Sequence, residues 1–218
     1  MDRNMLNAKK YITIVPFSRL FNWSVQYLND SKISFSKAYP MMRIGEFLKR
    51  NKTAVTIEDG KTYKRVTIKV RNGGVVPRDE VMGENIGTKK QFLVSEGQFI
   101  LSKIDARNGA MGIIPKELDG AIVTQDFLPY DIDTTKVNPQ YFVLVCSTKQ
   151  FVEFCQSCSS GTTNRRRVNE AQFLNIKVPI PSIEEQNKLV EEYNAIILNV
   201  QNICLLYTSP SPRDGLLS

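Results

Sequence analysis

The sequence predicts an α+β fold in which a mixed, twisted, partly barrel-like sheet with short helices is followed by one long coiled-coil helix. Three observations predict it. The middle of the chain alternates apolar and polar residues in short runs broken by glycine turns, as in Val66, Ile68 and Val70 before Asn72-Gly73-Gly74. Pro179-Ile180-Pro181 then closes that region, because proline suits neither a helix interior nor a central strand. From Ser182 the period changes: Ile183, Gln186, Val190, Tyr193, Ile197, Val200 and Cys204 recur at spacings of three and four, with Leu189, Ile196 and Ile203 widening the stripe.

Taken in order, Met1 to Tyr39 carries aromatic groups (Tyr11, Phe17, Phe21, Trp23, Tyr27, Phe35) without a sustained period and reads as an irregular lead-in. Pro40 marks a boundary, and Met42, Ile44, Phe47 and Leu48 suggest a short helix over Met41 to Lys49. From Thr62 a half-buried strand with a basic outer face (Arg65, Thr67, Lys69, Arg71) is expected. Glu84 to Lys90 reads as a loop, and Gln91 to Val94, Gln98 to Ile104, Met111 to Ile114, Ala121 to Thr124 and Phe127 to Ile132 as further strands. Asn108-Gly109 is a hairpin signal between two of them. Asn138-Pro139 opens a helix by cap and first-turn logic, which Tyr141 to Phe154 would continue. Ala171, Phe173 and Leu174 form a short amphipathic piece before a strand at Asn175 to Val178. Ser182 can cap the last helix, with Glu185 reaching back to complete a capping box. That helix, about 25 residues at ~1.5 Å each, would make a rod of roughly 37 Å. The alternative is an amphipathic helix lying along its own domain.

Composition narrows the function classes. The chain has 218 residues, 42 % of them hydrophobic, enough for one substantial core and an appendage. Its 29 Lys and Arg against 22 Asp and Glu give a net charge of +7. The excess is local: Lys61, Lys64, Arg65, Lys69, Arg71, Arg78, Lys89 and Lys90 face only Asp79, Glu80 and Glu84 in the same stretch. Such a field concentrates polyanions, although an ordinary solvated lysine surface is the competing explanation. No run approaches the roughly 20 apolar residues of a membrane span, and no signal-type core follows Met1-Asp2-Arg3, so a cytoplasmic protein is expected.

The chain has no histidine, which rules out Ser/His and Cys/His nucleophilic pairs. It also lacks an E-x-K nuclease element and a G-x-x-x-x-G-K phosphate loop. Cys155 and Cys158 have metal-ligand spacing but no second pair, so neither a metal nor a cofactor is expected. Asn138-Pro139-Gln140-Tyr141 lacks the second proline of the N-P-P-Y motif, and a helix start accounts for it.

The stretch from Ser159 to Gln186, SSGTTNRRRVNEAQFLNIKVPIPSIEEQ, joins a flexible, hydroxyl-rich turn to three adjacent arginines, a short helix, a strand, P-x-P and a helix opening E-E-Q. This order resembles the end of a target recognition domain in the specificity subunit of type I restriction-modification enzymes. Glu96 to Ile104 with Gly109, Gly112 and Ile113-Ile114-Pro115, and Gly120 to Thr124, resemble the same family's central hairpin. The resemblance runs from about Met41 to Asn199. It implies a lead-in at 1–40, a DNA target recognition domain at 41–181 and a coiled-coil spacer or dimerisation helix at 182–206. Residues 207–218, which resemble translated adapter sequence, are set aside as a non-native disordered tail.

The function so implied is non-catalytic: sequence-specific binding of double-stranded DNA that directs methyltransferase and restriction subunits to their target, the chain being a half-length subunit or a fragment. Methyl donor, magnesium and ATP would belong to those partners. A second recognition half, or a second copy, would join through the last helix. Lys69, Arg71, Lys89, Lys90 and Thr162 or Thr163 are candidates for phosphate, and Arg107, Asn108, Asn164 and Arg166 for bases. Arg165 and Arg167 complete the arginine run, one of which could instead pair with Glu170; Asn108 could serve only its turn. Ile183, Val190, Tyr193, Ile197 and Val200 form the expected helix interface. Two alternatives stand beside this: the recognition end of a fused restriction-methylation enzyme, and a protein-interaction scaffold that never meets DNA.

Overall fold

The computed structural model describes residues 35, 38–160 and 167–208. Thirteen short strands are described there: β1 Met41–Arg43, β2 Leu48–Arg50, β3 Ala54–Thr56, β4 Thr62–Ile68, β5 Val75–Met82, β6 Lys90–Leu93, β7 Phe99–Ser102, β8 Met111–Ile113, β9 Ile122–Val123, β10 Phe127–Ile132, β11 Ser159–Ser160, β12 Arg167–Val168 and β13 Lys177–Pro179. The helices are α1 Pro139–Cys146, α2 Lys149–Ser157, α3 Glu170–Asn175 and α4 Ile183–Thr208. The α+β class therefore holds, with a long C-terminal helix. Instead of one partly barrel-like sheet, the strands form four separate ladders, in the orders β1-β13, β2-β10-β7-β8, β11-β12 and β3-β6-β9-β4-β5. Ten of the thirteen described strands run only two to four residues between frequent turns, too short to carry one ladder around a closed surface.

β7 is the hub. All four of its residues are buried, and alternate side chains point to opposite faces of the strand. Phe99 and Leu101 enter a large core with Phe47, Tyr130, Phe142, Phe151 and Phe173, whose rings meet at tilted or edge-on angles. Ile100 enters a second core with Val66, Ile68, Val75, Ile114 and Leu118. A strand buried on both sides fixes where its C-terminal end, Ser102, releases the chain. That release point carries the candidate site.

Several local expectations give way to tertiary pairing. Met41 to Lys49 is not a helix: β1 pairs with β13 and β2 with β10, and only Ile44–Glu46 makes a helical turn between them. The ladder partners lie 80 or more residues away, so the local apolar spacing could not announce them. β5 was unexpected because Pro77-Arg78-Asp79-Glu80 is polar and holds a proline. It is an edge strand, and the register with β4 shifts between Arg65 and Val66, close to where Val66 faces Pro77. The helix expected through Phe154 is two helices, with Thr148 recapping the second by accepting the Phe151 N–H. Asn138 and Pro139 start α1 as expected, the Asn138 side chain accepting from Gln140 and Tyr141.

At the start of α4, Ser182 Oγ accepts the Glu185 N–H at 3.3 Å. The Glu185 carboxylate accepts from the Tyr39 hydroxyl rather than reaching back to complete the box. Gln186, fully buried, donates to the carbonyls of Lys136 (3.0 Å) and Pro181 (2.9 Å) and accepts the Asn138 N–H (2.8 Å). Val190 is buried in the large core and Leu189 packs against it, whereas every residue from 191 to 203 is exposed. The helix is thus anchored at one end and bare along the rest of its described surface.

Candidate nucleic-acid interface

Three backbone turns converge beyond the end of β7. The first follows β4: Val70 O accepts the Gly73 N–H and Gly74 O accepts the Lys69 N–H, so residues 69–74 double back tightly. Arg71 and Asn72 both adopt left-handed backbone, at φ 57° and 56°. The second is the 3-10 turn Ala106–Asn108, closed by Gly109 at φ 76°. Asp105 Oδ1 accepts from the Asn108 amide at 3.3 Å, and Ser102 Oγ accepts the Asp105 N–H at 3.2 Å. The third is the base of the β11–β12 hairpin, where Ser159 pairs with Val168 and Ser160 with Arg167.

Backbone hydrogen bonds join all three. Arg71 N–H donates to Asn108 O at 2.7 Å and Asn72 N–H to Gly109 O at 3.0 Å. Val168 N–H donates to Lys103 O at 2.9 Å, and Lys103 N–H to Asp126 O at 2.7 Å. Gln156 of α2 donates to Arg107 O at 3.3 Å. The result brings together the backbone segments that carry Lys69, Arg71, Lys103, Arg107, Asn108 and Arg167. Lys69, Arg71, Asn108 and Arg167 are exposed; Lys103 and Arg107 are half-buried.

Arg167 is a paired cation. Its guanidinium grips Asp126 through two hydrogen bonds of 3.1 and 3.2 Å, which orients it but offsets part of its charge. Glu170, which one of the three arginines could have paired with, is not the partner of Arg167: it receives the Tyr130 hydroxyl at 3.2 Å and lies 3.3 Å from Arg50 Nε. That contact is an ion pair without hydrogen-bond alignment, since Arg50 Nε has no hydrogen-bond partner. Burial lowers the Arg50 pKa from its usual value, the nearby Glu170 carboxylate opposing the shift.

The other two lysine candidates lie apart. Lys89 donates to Asp59 at 2.5 Å and to Gly83 O at 2.8 Å, and Gly83 bonds back to Lys61 just before β4 begins. Lys69 and Arg71 follow the opposite end of that seven-residue strand, roughly 20 Å away at about 3.3 Å per residue. Lys90 accompanies Lys89 at the β3–β6 edge, opposite Thr56. Thr162, Thr163, Asn164, Arg165 and Arg166 lie outside the described residues. Lys103 was missed on sequence because it reads as the polar end of an apolar strand; its only signal was its place next to the Asp105–Gly109 turn.

Among the described residues, no group of three or more His, Cys, Asp or Glu side chains could hold a metal ion. No described helix is long and apolar enough to cross a membrane. What this face offers is charge, amide groups and fixed geometry.

Comparison with known proteins gives the class of this domain. The family model of the type I restriction modification DNA specificity domain matches residues 36–198, so the chain belongs to that family. Among solved structures it is similar to the HsdS subunit from Thermoanaerobacter tengcongensis, with a TM-score of 0.61 and 19 % identity over 79 % of this chain and 45 % of that one. It is also similar to a chain in a structure of complex assembly and conformational transition in the type I R-M system, with a TM-score of 0.63 and 17 % identity over 79 % and 45 % of the two chains. At these identities the likeness is one of fold, and this chain spans less than half the length of either relative. No curated protein matches the sequence.

Proposed function

We propose that this chain recognises a specific sequence in double-stranded DNA as a half-length or fragmentary specificity subunit of a type I restriction-modification complex. The observation that carries the proposal is the convergence of three turns, which bear Lys69, Arg71, Lys103, Arg107, Asn108 and Arg167, in a family-matched domain. In this reading Lys69, Arg71 and Lys103 neutralise phosphates and fix register, while Arg107 and Asn108 read base edges. Arg167 is held in place by Asp126 where β12 pairs with β11. The chain itself is non-catalytic and cytoplasmic. Methyltransferase and restriction subunits bring the chemistry, and the exposed length of α4 joins the chain to a second recognition half or a second copy.

The test is duplex binding as a function of salt, measured on the chain with its methyltransferase subunit. Log affinity should fall linearly with log salt, and Arg71→Ala should flatten the slope by about one unit, the loss of one phosphate contact. Arg107→Ala should instead reduce the preference for the target over a scrambled duplex. Affinity that ignores salt, or no preference among duplexes, would overturn the proposal.

A further inference from the structure

The turn at residues 69–74 is strained, and it is hydrogen-bonded against the turn at residues 105–110. Left-handed backbone is uncommon outside glycine, and Arg71 and Asn72 adopt it consecutively. Neither is held there by its own turn alone: their amides are the two that donate across to Asn108 O and Gly109 O. From the other side, a Cβ on Gly109 would come within 2.9 Å of Asn72 Oδ1, 3.1 Å of Asn72 N and 3.2 Å of Asn72 Cγ. Gly109 is therefore glycine for two reasons, its φ of 76° and the side chain packed onto it. Unmet polar groups gather at the same place. Asn72 Oδ1 and Arg107 Nε are buried without a hydrogen-bond partner among the described residues. Strained backbone and unsatisfied groups persist only where the surroundings over-determine them, and they cluster where geometry serves function.

From this geometry we infer that the two turns form a single clamped reading unit, in which Asn72 and Gly109 are positioning residues that hold Arg71 in register with Arg107 and Asn108. The inference rests on the DNA-binding proposal and deepens it. A cation from one turn and base-reading groups from the other keep a fixed spacing before DNA arrives. Neither Asn72 nor Gly109 need touch DNA. Their contribution is to discrimination, because a paired hydrogen bond to a base edge tolerates little misplacement.

Gly109→Ala tests this in the chain complexed with its methyltransferase subunit, with Gly120→Ala as control. Gly120 has the same left-handed backbone, φ 72°, but nothing within 4 Å of its Cβ position, so it reports strain without a clash. Two measurements are made. Amide hydrogen exchange should quicken at Arg71 and Asn72 in Gly109→Ala, 38 and 37 residues from the substitution, and stay slow there in Gly120→Ala. Selection from a randomised duplex library should return one enriched motif for the wild type and for Gly120→Ala, with enrichment reduced about tenfold in Gly109→Ala. Binding to random duplex and its salt slope should be the same in all three. Unchanged exchange at Arg71 and Asn72 would show that the turns are not clamped. Quickened exchange with full enrichment would show that the clamp plays no part in recognition, and either result overturns the inference. A wild-type complex that enriches no motif would instead retire the DNA-binding proposal, and with it the reading role, while the exchange data would still decide whether the turns move as one.

Discussion

At the scale of single residues, charge count is a poor guide to which cations are available. Lys89 holds Asp59 and the Gly83 carbonyl, and Arg65 grips Asp79 through bonds of 2.7 and 2.6 Å, so both serve intramolecular geometry. Lys103, unremarkable in the sequence, is fixed by backbone bonds on both sides at the meeting of the three turns. Lys103→Ala should therefore flatten the salt slope of duplex binding by about one unit, and Lys89→Ala should leave it unchanged. The reverse pattern would move the interface to the β3–β6 edge. The Arg65 pair also predicts a pH effect. Its hydrogen bond holds the Asp79 carboxyl below the usual carboxylate range. A folded-state pKa below the unfolded value gives stability that is present above the unfolded pKa and lost as pH falls through the folded one. Thermal melting of Asp79→Asn between neutral and strongly acid pH should show a smaller acid-range loss than the wild type. The difference will be small because both groups meet solvent.

At the scale of elements, α4 does two jobs in succession. Its first two turns belong to the domain, through Val190 in the core and Gln186 beneath the start of α1. Burial pushes the Tyr141 hydroxyl up to about 12, so it stays protonated and keeps donating to Pro179 O beside this junction. Beyond that point Tyr193, Ile196, Ile197, Leu198, Val200 and Ile203 are exposed, between 38 % and 60 % each, which is a stripe without a partner on this chain's described surface. The expected interface residues thus divide: Val190 is buried and Ile183 half-buried, while Tyr193, Ile197 and Val200 face solvent. Val190→Asp should destabilise the domain by about 3 kcal/mol or more, seen as a lowered melting temperature. Ile197→Asp with Val200→Asp should leave melting unchanged and weaken association, measured by light scattering. Gln186→Glu keeps shape but removes both donors, leaving the Lys136 and Pro181 carbonyls unpaired at a cost of about 1–3 kcal/mol each. It should lower the melting temperature and loosen the angle of the arm, read as a broadened distance distribution between labels on α4 and on β5.

At the scale of the whole molecule, the two cores on either side of β7 explain how small turns become a defined surface. Every turn of the candidate face hangs from an element rooted in one core or the other: residues 69–74 from β4, residues 103–109 from β7, and the hairpin base from α2 and α3. The proposed function, recognition without chemistry, would depend on this rigidity, because binding free energy would be its only output. The purified chain should transfer no methyl group to DNA with a methyl donor present, and adding the methyltransferase subunit should restore modification at a defined sequence. Transfer by the chain alone would contradict the proposed division of labour.

What the sequence determined by itself was whatever depends on local pattern. The α+β class, the long helix, the Asn138-Pro139 helix start and the strands at Phe99, Met111 and Phe127 were legible because alternation, capping and proline act within a few residues. So was the family, through the order of motifs from Glu96 to Gln186. Tertiary structure decided what depends on partners far along the chain. Only pairing with β13 and β10 made strands of Met41–Arg43 and Leu48–Arg50 where a helix over Met41 to Lys49 was expected, and only an edge position admitted Pro77. Most of all, nothing in the sequence joins Asn72 to Gly109 or Lys103 to Val168; hydrogen bonds between residues 37 and 65 positions apart assemble the candidate face. Long-range contacts of this kind obey shape and unmet hydrogen bonds rather than periodicity, so they become readable only once the chain is folded.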